Sequence, residues 1–452
     1  MQRSRALLRI GAGAGFADDR LPPAVDLAER GKLDYLVFEC LAERTIAREN
    51  LTRVKDPARG YTPRLAERMQ AVLPGCLRHG VRIVSNMGAA NPVAAARVVL
   101  GIASGMAGAQ GLACAVVLGD DVGELVRSRP GLPLMESGRP VEDLLPRLVS
   151  ANAYLGADAI CRALDTGAQV VLTGRVADPS LFLAPAMHHF GWRPDDWPRL
   201  AAGTVAGHLL ECGAQVSGGC YADPVKKPVP DLARLGFPYA DIGADGQLWI
   251  GKLDGTGGRV DRATCTEQLL YEVHDPAAYV TPDCVLDLTD VDLVPAGIDR
   301  VQLQGARARP RTASYKVTVG YRDGYIGEGQ ISYAGPNAVA KAKWAAQIVQ
   351  QRLADAGWRY TEERVDLIGM SSLHGLPDER PEPYEVRLRL ALRTDDRKAA
   401  EAVGHETRAL HVNGPGSGAG GSDAVVREVL AVQSVLVPRE WVDPQVRVET
   451  IR

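Results

Sequence analysis

Four apolar runs in the first third of the chain stop in the same manner, and this repetition constrains the fold more than any other feature. The first lies in LLRIGAGAGFADDR, Leu7 to Arg20, where the run opens into Gly11-x-Gly13-x-Gly15 and then the acidic pair Asp18-Asp19. The others end in Phe38-Glu39-Cys40, Ser85-Asn86-Met87 and Leu118-Gly119-Asp120-Asp121. Short continuous apolar runs suit strands buried on both faces of a parallel sheet. In open parallel sheets, ligands bind in the crevice outside the carboxyl ends of the strands, where glycines and helix N-termini leave backbone N–H groups free. The polar residues that end these runs are therefore expected to share one site.

The spacing between the runs completes the reading. Leu33–Phe38, Val81–Ser85, Ala113–Leu118 and Gln169–Thr173 read as strands, with amphipathic segments such as Tyr61–Cys76 and Pro92–Gly108 between them. This alternation predicts an α/β fold, an open, mostly parallel sheet with helices on both faces. A further run, VVLTGRVADPS, adds Arg175 and Asp178 to the strand ends. Beyond residue 200, GGCYADP and Pro224, Pro228, Pro230 and Pro238 read as an ordered excursion. Tyr315–Val319 and Ile326–Tyr333 around a glycine turn predict a hairpin, and Asn337–Asp355 predicts a helix. Arg364–Ile368, Tyr384–Leu392, a helix from Arg397 and the loop NGPGSGAGG complete a smaller α/β unit. That loop is expected to precede a helix of sequence VVREVL, capped by Ser422 or Asp423, so Asn413, Gly416 and Gly418 are candidate anion contacts. The expected division is residues 1–290 and 291–452.

A net charge of -3 over 452 residues speaks against a broad basic surface for nucleic acid. The eight cysteines show no CxxC pair and read as reduced thiols, and no apolar stretch reaches the ~20 residues that span a bilayer. A cytoplasmic protein without membrane attachment is the expectation, with a homo-oligomer as the default assembly.

Each motif has a plainer alternative. The G-x-G-x-G loop departs from the dinucleotide fingerprint G-x-G-x-x-G, and Pro22-Pro23 start the helix late, beyond two carboxylates that would repel a pyrophosphate. Glu39, Asp120, Asp121 and Asp178 are hard oxygen ligands of the kind magnesium or manganese takes, but no metal motif is present. His188-His189 reads as a helix terminus. His208 and Glu211, three residues apart on one helix face, suit an acid–base pair or a structural hydrogen bond. Asp120-Asp121 suits a helix cap, Arg175 and Asp178 a structural ion pair, and Asp254 to Gly258 with Thr256 an Asx-type turn.

The phrases IGAGAGFADDR, LDYLVFECLAERTIA, RIVSNMGAANP, VVLGDDV, VVLTGRVADPSL, GTVAGHLLECGAQVSGGCYADP and GKLDGTGGRV resemble the acyclic terpene utilization (AtuA) family through most of the chain. The resemblance implies a large N-terminal domain without the C-terminal ferredoxin-like domain of many relatives, hence a separate small ferredoxin-like subunit as a partner. It also implies a metabolic setting of branched or unsaturated acyl-CoA thioesters.

On that basis the expected function is an enzyme acting on an acyl-CoA or related carboxylate by hydration, dehydration or carbon–carbon cleavage. Glu39, Asp120, Asp178 and His208 are the expected acid–base groups. Asn86 and the N–H groups of Gly11, Gly13 and Gly15 are the expected oxyanion donors, beside Asp18 and Asp121. Arg175, Lys252 and Thr256 are expected to hold a carboxylate or phosphate. Two other classes compete: a non-catalytic acyl-CoA-binding subunit, and an NAD(P)-dependent oxidoreductase.

Overall fold

The computed structural model describes residues 7–375 and 381–452. They divide into two compact units, one reaching Gly320 and including Val432–Arg452, the other Tyr321–Ala431. The division thus falls after Gly320 rather than at 290/291, because the long strand Ser314–Ala334 carries the chain out of the first unit.

The first unit alternates strand and helix: β1 (Leu7–Ala14), α1 (Pro22–Arg30), β2 (Tyr35–Phe38), α2 (Glu43–Lys55), α3 (Leu65–His79), β3 (Arg82–Ser85), α4 (Pro92–Ala103), β4 (Cys114–Leu118) and α5 (Gly123–Arg127). It continues with β5 (Leu148–Ala153), α6 (Ala157–Asp165), β6 (Val170–Thr173), α7 (Ser180–Phe190), α8 (Trp197–Leu210), β7 (Pro238–Gly243), β8 (Leu248–Lys252) and α9 (Arg262–Leu270). Local chemistry sets the boundaries. Pro22 and Pro92 occupy first helical positions, which need no N–H, and Asn91 accepts from Ala94 N at 3.3 Å. Gly80 and Gly191 end α3 and α7 in left-handed backbone, at φ of 70° and 66°.

The sheet has ten strands, in the order Asp292–Pro295, Arg300–Gln304, β8, β7, β1, β2, β3, β6, β4, Arg447–Ile451. The β1-β2-β3-β6-β4 centre is parallel throughout, and antiparallel strands extend both sides. Side chains alternate across the pleat. Leu36, Phe38, Ile83, Leu172 and Val116 join α1, α3 and α4 in one core, while Tyr35, Val37, Val84, Val171 and Val117 are buried on the face that α6 to α8 approach. Helices therefore cover both faces, as expected.

In the second unit, strands Glu362–Ile368, Glu385–Thr394, the distal part of Ser314–Ala334 and Gly418–Ala419 form an antiparallel sheet. Helices Ala338–Asp355 and Arg397–Asn413 pack their apolar sides on it. Two expectations are corrected. The hairpin is one continuous strand, because Gly324 takes a φ of 76° and kinks the chain without reversing it. The helix expected over VVREVL is the strand Val425–Pro438.

Candidate functional site

The carboxyl ends of the parallel strands bring Glu39, Asn86, Asp120 and Arg175 together. Glu39, directly after β2, is buried. Its Oε1 accepts from Leu41 N at 2.8 Å and from Asn86 Nδ2 at 2.9 Å. Asn86 Oδ1 accepts from Cys40 N at 2.7 Å, so the amide of Asn86 positions Glu39 with its oxygen fixed and one of its two Nδ2 hydrogens engaged. Asp120 closes the next pair of strands: its Oδ2 accepts from Arg175 N and Asn152 Nδ2, both at 2.9 Å. Asn152 Oδ1 in turn accepts from Asn50 Nδ2 at 3.1 Å. Gly174 leaves room for this carboxylate, since a Cβ there would stand 2.4 Å from Asp120 Oδ1.

Arg175 is the centre of the arrangement. Its side chain is 2 % exposed, its Nη2 donates to Asp178 Oδ1 at 2.8 Å, and its guanidinium lies 4.2 Å from the centre of the Tyr154 ring. Its Nε and Nη1 are buried and have no hydrogen-bond partner among the described residues. Orphaned donors on a buried cation are costly, and their usual resolution is a bound group with lone pairs. Glu43, in the first turn of α2, accepts from the Tyr154 hydroxyl and lies 3.5 Å from Lys316 Nζ.

These acids are tuned apart. Burial raises Glu39 above the usual carboxylate range, against the pull of Leu41 N, Arg175 and Asn86. Burial likewise pushes Asp120 up to about 6. Asp178 is 32 % exposed, but the protein packed around it and the charges of Glu39 and Glu43 outweigh Arg175 and push it up to about 8. Glu43 feels burial too, yet Arg175, Tyr154 and Lys316 hold it down at about 2. Around Arg175 one carboxyl is thus held low and another is pushed up, the separation that acid–base chemistry uses.

His208 Nδ1 meets Glu211 Oε1 at 3.0 Å and its Nε2 meets Leu269 O at 3.1 Å. Both ring nitrogens are engaged, so His208 positions Glu211 and has no nitrogen left for a substrate. Burial pushes Glu211 up to about 7, despite the bond and the charge of His208.

Other expected contacts are taken up by the protein itself. Gly11 and Gly13 lie within β1, where a Cβ would stand 2.7 Å from Leu33 Cδ1 or 2.6 Å from Phe38 Cε1. At Gly15 it would stand 2.4 Å from the carbonyl carbon of Cys212, and Gly15 N donates to Asp19 Oδ2 at 2.8 Å. The three glycines admit the chain's own neighbours where close approach of a ligand was expected. Asp18 is exposed, and its carbonyl accepts from Arg64 Nη1 at 3.0 Å. Lys252 Nζ is spent on Asp299 Oδ2 at 2.9 Å and Thr256 O at 3.0 Å, while the Thr256 hydroxyl donates to Leu253 O at 2.7 Å. Asp121 is exposed and accepts from Gly123 N at 3.2 Å, two residues on, while Val122 stands at the N-cap without a side-chain bond. Asn413 ends a helix of the second unit, and Gly416 and Gly418 follow it there.

A cavity of about 180 Å³ is lined by Asp120, Asp121, Asn152, Asn50, Arg53 and Arg447. A larger one of about 570 Å³ runs along α6, past Cys161, His188 and Trp192, and none of the strand-end acids lines it. Among the described residues there is no group of three or more His, Cys, Asp or Glu side chains placed to hold a metal ion, and no helix long and apolar enough to cross a membrane. Sequence reasoning missed Glu43, Tyr154 and Lys316. Glu43 follows Glu39 by four residues and carried a faint signal as an acid at a helix start, but Tyr154 and Lys316 reach the site from far along the chain.

The family described as acyclic terpene utilisation family protein AtuA matches residues 8–448. No curated protein matches.

Proposed function

The chain belongs to the acyclic terpene utilisation family AtuA, and from that premise we propose that it is an enzyme that hydrates or dehydrates an acyl-CoA thioester, or a related unsaturated or branched carboxylate. The single observation that carries this reading is Arg175, a buried guanidinium with two unpartnered donors beside Asp178. Adding water to an unsaturated thioester places negative charge on the carbonyl oxygen, and donors fixed in a dry site stabilise it. Water oxygen bonds to the β-carbon as a carboxylate, Glu39 or Glu211, takes its proton. The electron pair of the double bond moves to the thioester oxygen facing Arg175. The carbonyl re-forms as the α-carbon takes a proton from Asp178, whose carboxyl is pushed up to about 8. Transfer of a proton from the first carboxyl back to Asp178 resets the site.

The test is spectrophotometric. Purified protein is incubated with crotonyl-CoA and 3-methylcrotonyl-CoA, and the conjugated enoyl absorbance is followed. Loss of absorbance with the intact chain, and none with Arg175→Met, is the expected result. Absence of turnover and of any thermal shift with either thioester counts against the reading.

A further inference from the structure

Arg175 is not the only charged group in the cleft with an unused atom. Glu211 Oε1 is held by His208, whereas Oε2 is buried and has no partner among the described residues. Its surroundings fix what that atom does. Leu269 O accepts a hydrogen from His208 Nε2, so the imidazole and Glu211 share one proton across the Nδ1–Oε1 contact. Whichever of the two carries it, Oε2 is left as an acceptor.

The packing of α8 sets this acceptor near Asp178. Gly207 abuts the start of α7, where a Cβ would stand 2.5 Å from Pro179 O, and Pro179 follows Asp178. Glu211 lies one helical turn beyond Gly207. Cys212 backs onto Gly15 at the end of β1. The charges of Asp178 and Glu39 act on Glu211, and Arg175 acts on both of those acids. Gln268 Nε2 donates to His208 O at 2.9 Å, and the Tyr279 ring lies 5.1 Å from the imidazole.

We infer that the orphaned atoms form a template for a hydroxyacyl or hydroxy-carboxylate ligand, with its carbonyl or carboxylate oxygen on Arg175 Nε and Nη1 and its hydroxyl donating to Glu211 Oε2. This rests on the reading of Arg175 as the anion-holding group, and it makes Glu211 the carboxylate nearest the oxygen that is added or lost. Two donors and one acceptor match the hydrated side of the proposed reaction. A saturated acyl group would leave Glu211 Oε2 unpaired.

Isothermal titration with butyrate, 2-hydroxybutyrate and 3-hydroxybutyrate tests the template without needing turnover. The intact chain is expected to bind one hydroxy acid about tenfold or more tightly than butyrate, the scale of a buried hydrogen bond to a charged group. Glu211→Ala should bring the hydroxy acid down to the butyrate level, Glu211→Gln should retain part of the preference, and Arg175→Met should lose all three ligands. Circular dichroism establishes that each variant is folded, and His208→Gln serves as a second probe because it frees Oε1 without removing the carboxylate. Equal affinities for the three acids, no binding of any, or a preference untouched in the Glu211 and His208 variants would overturn the inference. A hydroxyl preference that depends on Glu211, without turnover of either thioester, sinks the hydration reading and leaves the template standing. Turnover without the preference does the reverse.

Discussion

Two charged clusters in this molecule are built from the same side chains to opposite ends. On the sheet of the second unit, Arg389 bridges Asp366 and Glu328 at 2.7 Å each. Glu328 also receives Gln330 at 2.7 Å and Arg427 at 2.5 Å, and Arg364 reaches Asp366 at 2.8 Å. Burial works against both acids there, but the guanidinium groups win and hold Glu328 and Asp366 below the usual carboxylate range. In the strand-end cleft one arginine serves many acids, two of its donors are idle, and Glu39, Asp178 and Glu211 are all raised. A cluster that stabilises the fold satisfies its own charges. A cluster kept for a ligand leaves charges unsatisfied at some cost in stability.

Changing the arginines gives the sharpest contrast. Arg175→Met is expected to lower turnover of an unsaturated acyl-CoA by about a hundredfold or more, the usual effect of removing a preorganised oxyanion donor. Steady-state rates on the two thioesters check this. A residual rate near that of the intact chain would erase the distinction between the clusters. Gly15→Val comes next, because its side chain would meet the Cys212 carbonyl carbon at 2.4 Å. It should cost about 1–3 kcal/mol of stability, read from the urea midpoint. An unchanged midpoint would return the first glycine loop to the ligand. Arg389→Met should cost about 1 kcal/mol and leave turnover intact, since its pairs are only partly buried. The same urea titration with a rate assay reads both.

The last effect is read against pH, at Asp120. Its folded pKa is raised from 3.8 to about 6, so the folded state holds the proton more tightly than the unfolded chain and stability falls as pH rises through that window. Asp120→Asn removes the titration and can still accept from Arg175 N and Asn152. The variant should therefore gain in thermal midpoint relative to the intact chain between about pH 4 and 6, with no further gain above. A pH-independent difference between the two midpoints would mean that Asp120 is not raised.

Contiguity determined what was legible in the sequence. β2, β3, β4 and β6 and the polar residues that end them, Glu39, Asn86, Asp120 and Arg175, were readable because each strand is a short apolar run and the candidate residue follows within two positions. Glu211 was visible through its i,i+3 spacing from His208, but its orphaned oxygen was not. The partners of Asn86 and Glu43 come from remote segments, as does Asp299 for Lys252, and no local pattern signals them. At Gly324 a glycine beside Asp323 reads as a turn, yet the pairing of Tyr325–Ala334 with Glu385–Thr394 carries the strand through. In VVREVL, pairs of apolar residues four apart fit helix and strand alike, and pairing within the sheet decides.

The strand Arg447–Ile451 lies beside β4, more than three hundred residues earlier in the chain. On the ribosome, β4 therefore emerges long before its neighbour on that side is synthesised. The second unit is a continuous insertion, and its strands and helices have their partners close at hand, so it can collapse while the rest of the chain waits. The large sheet gains this strand only after the second unit has been synthesised. Until then its unfinished edge on that side is an open template for intermolecular pairing.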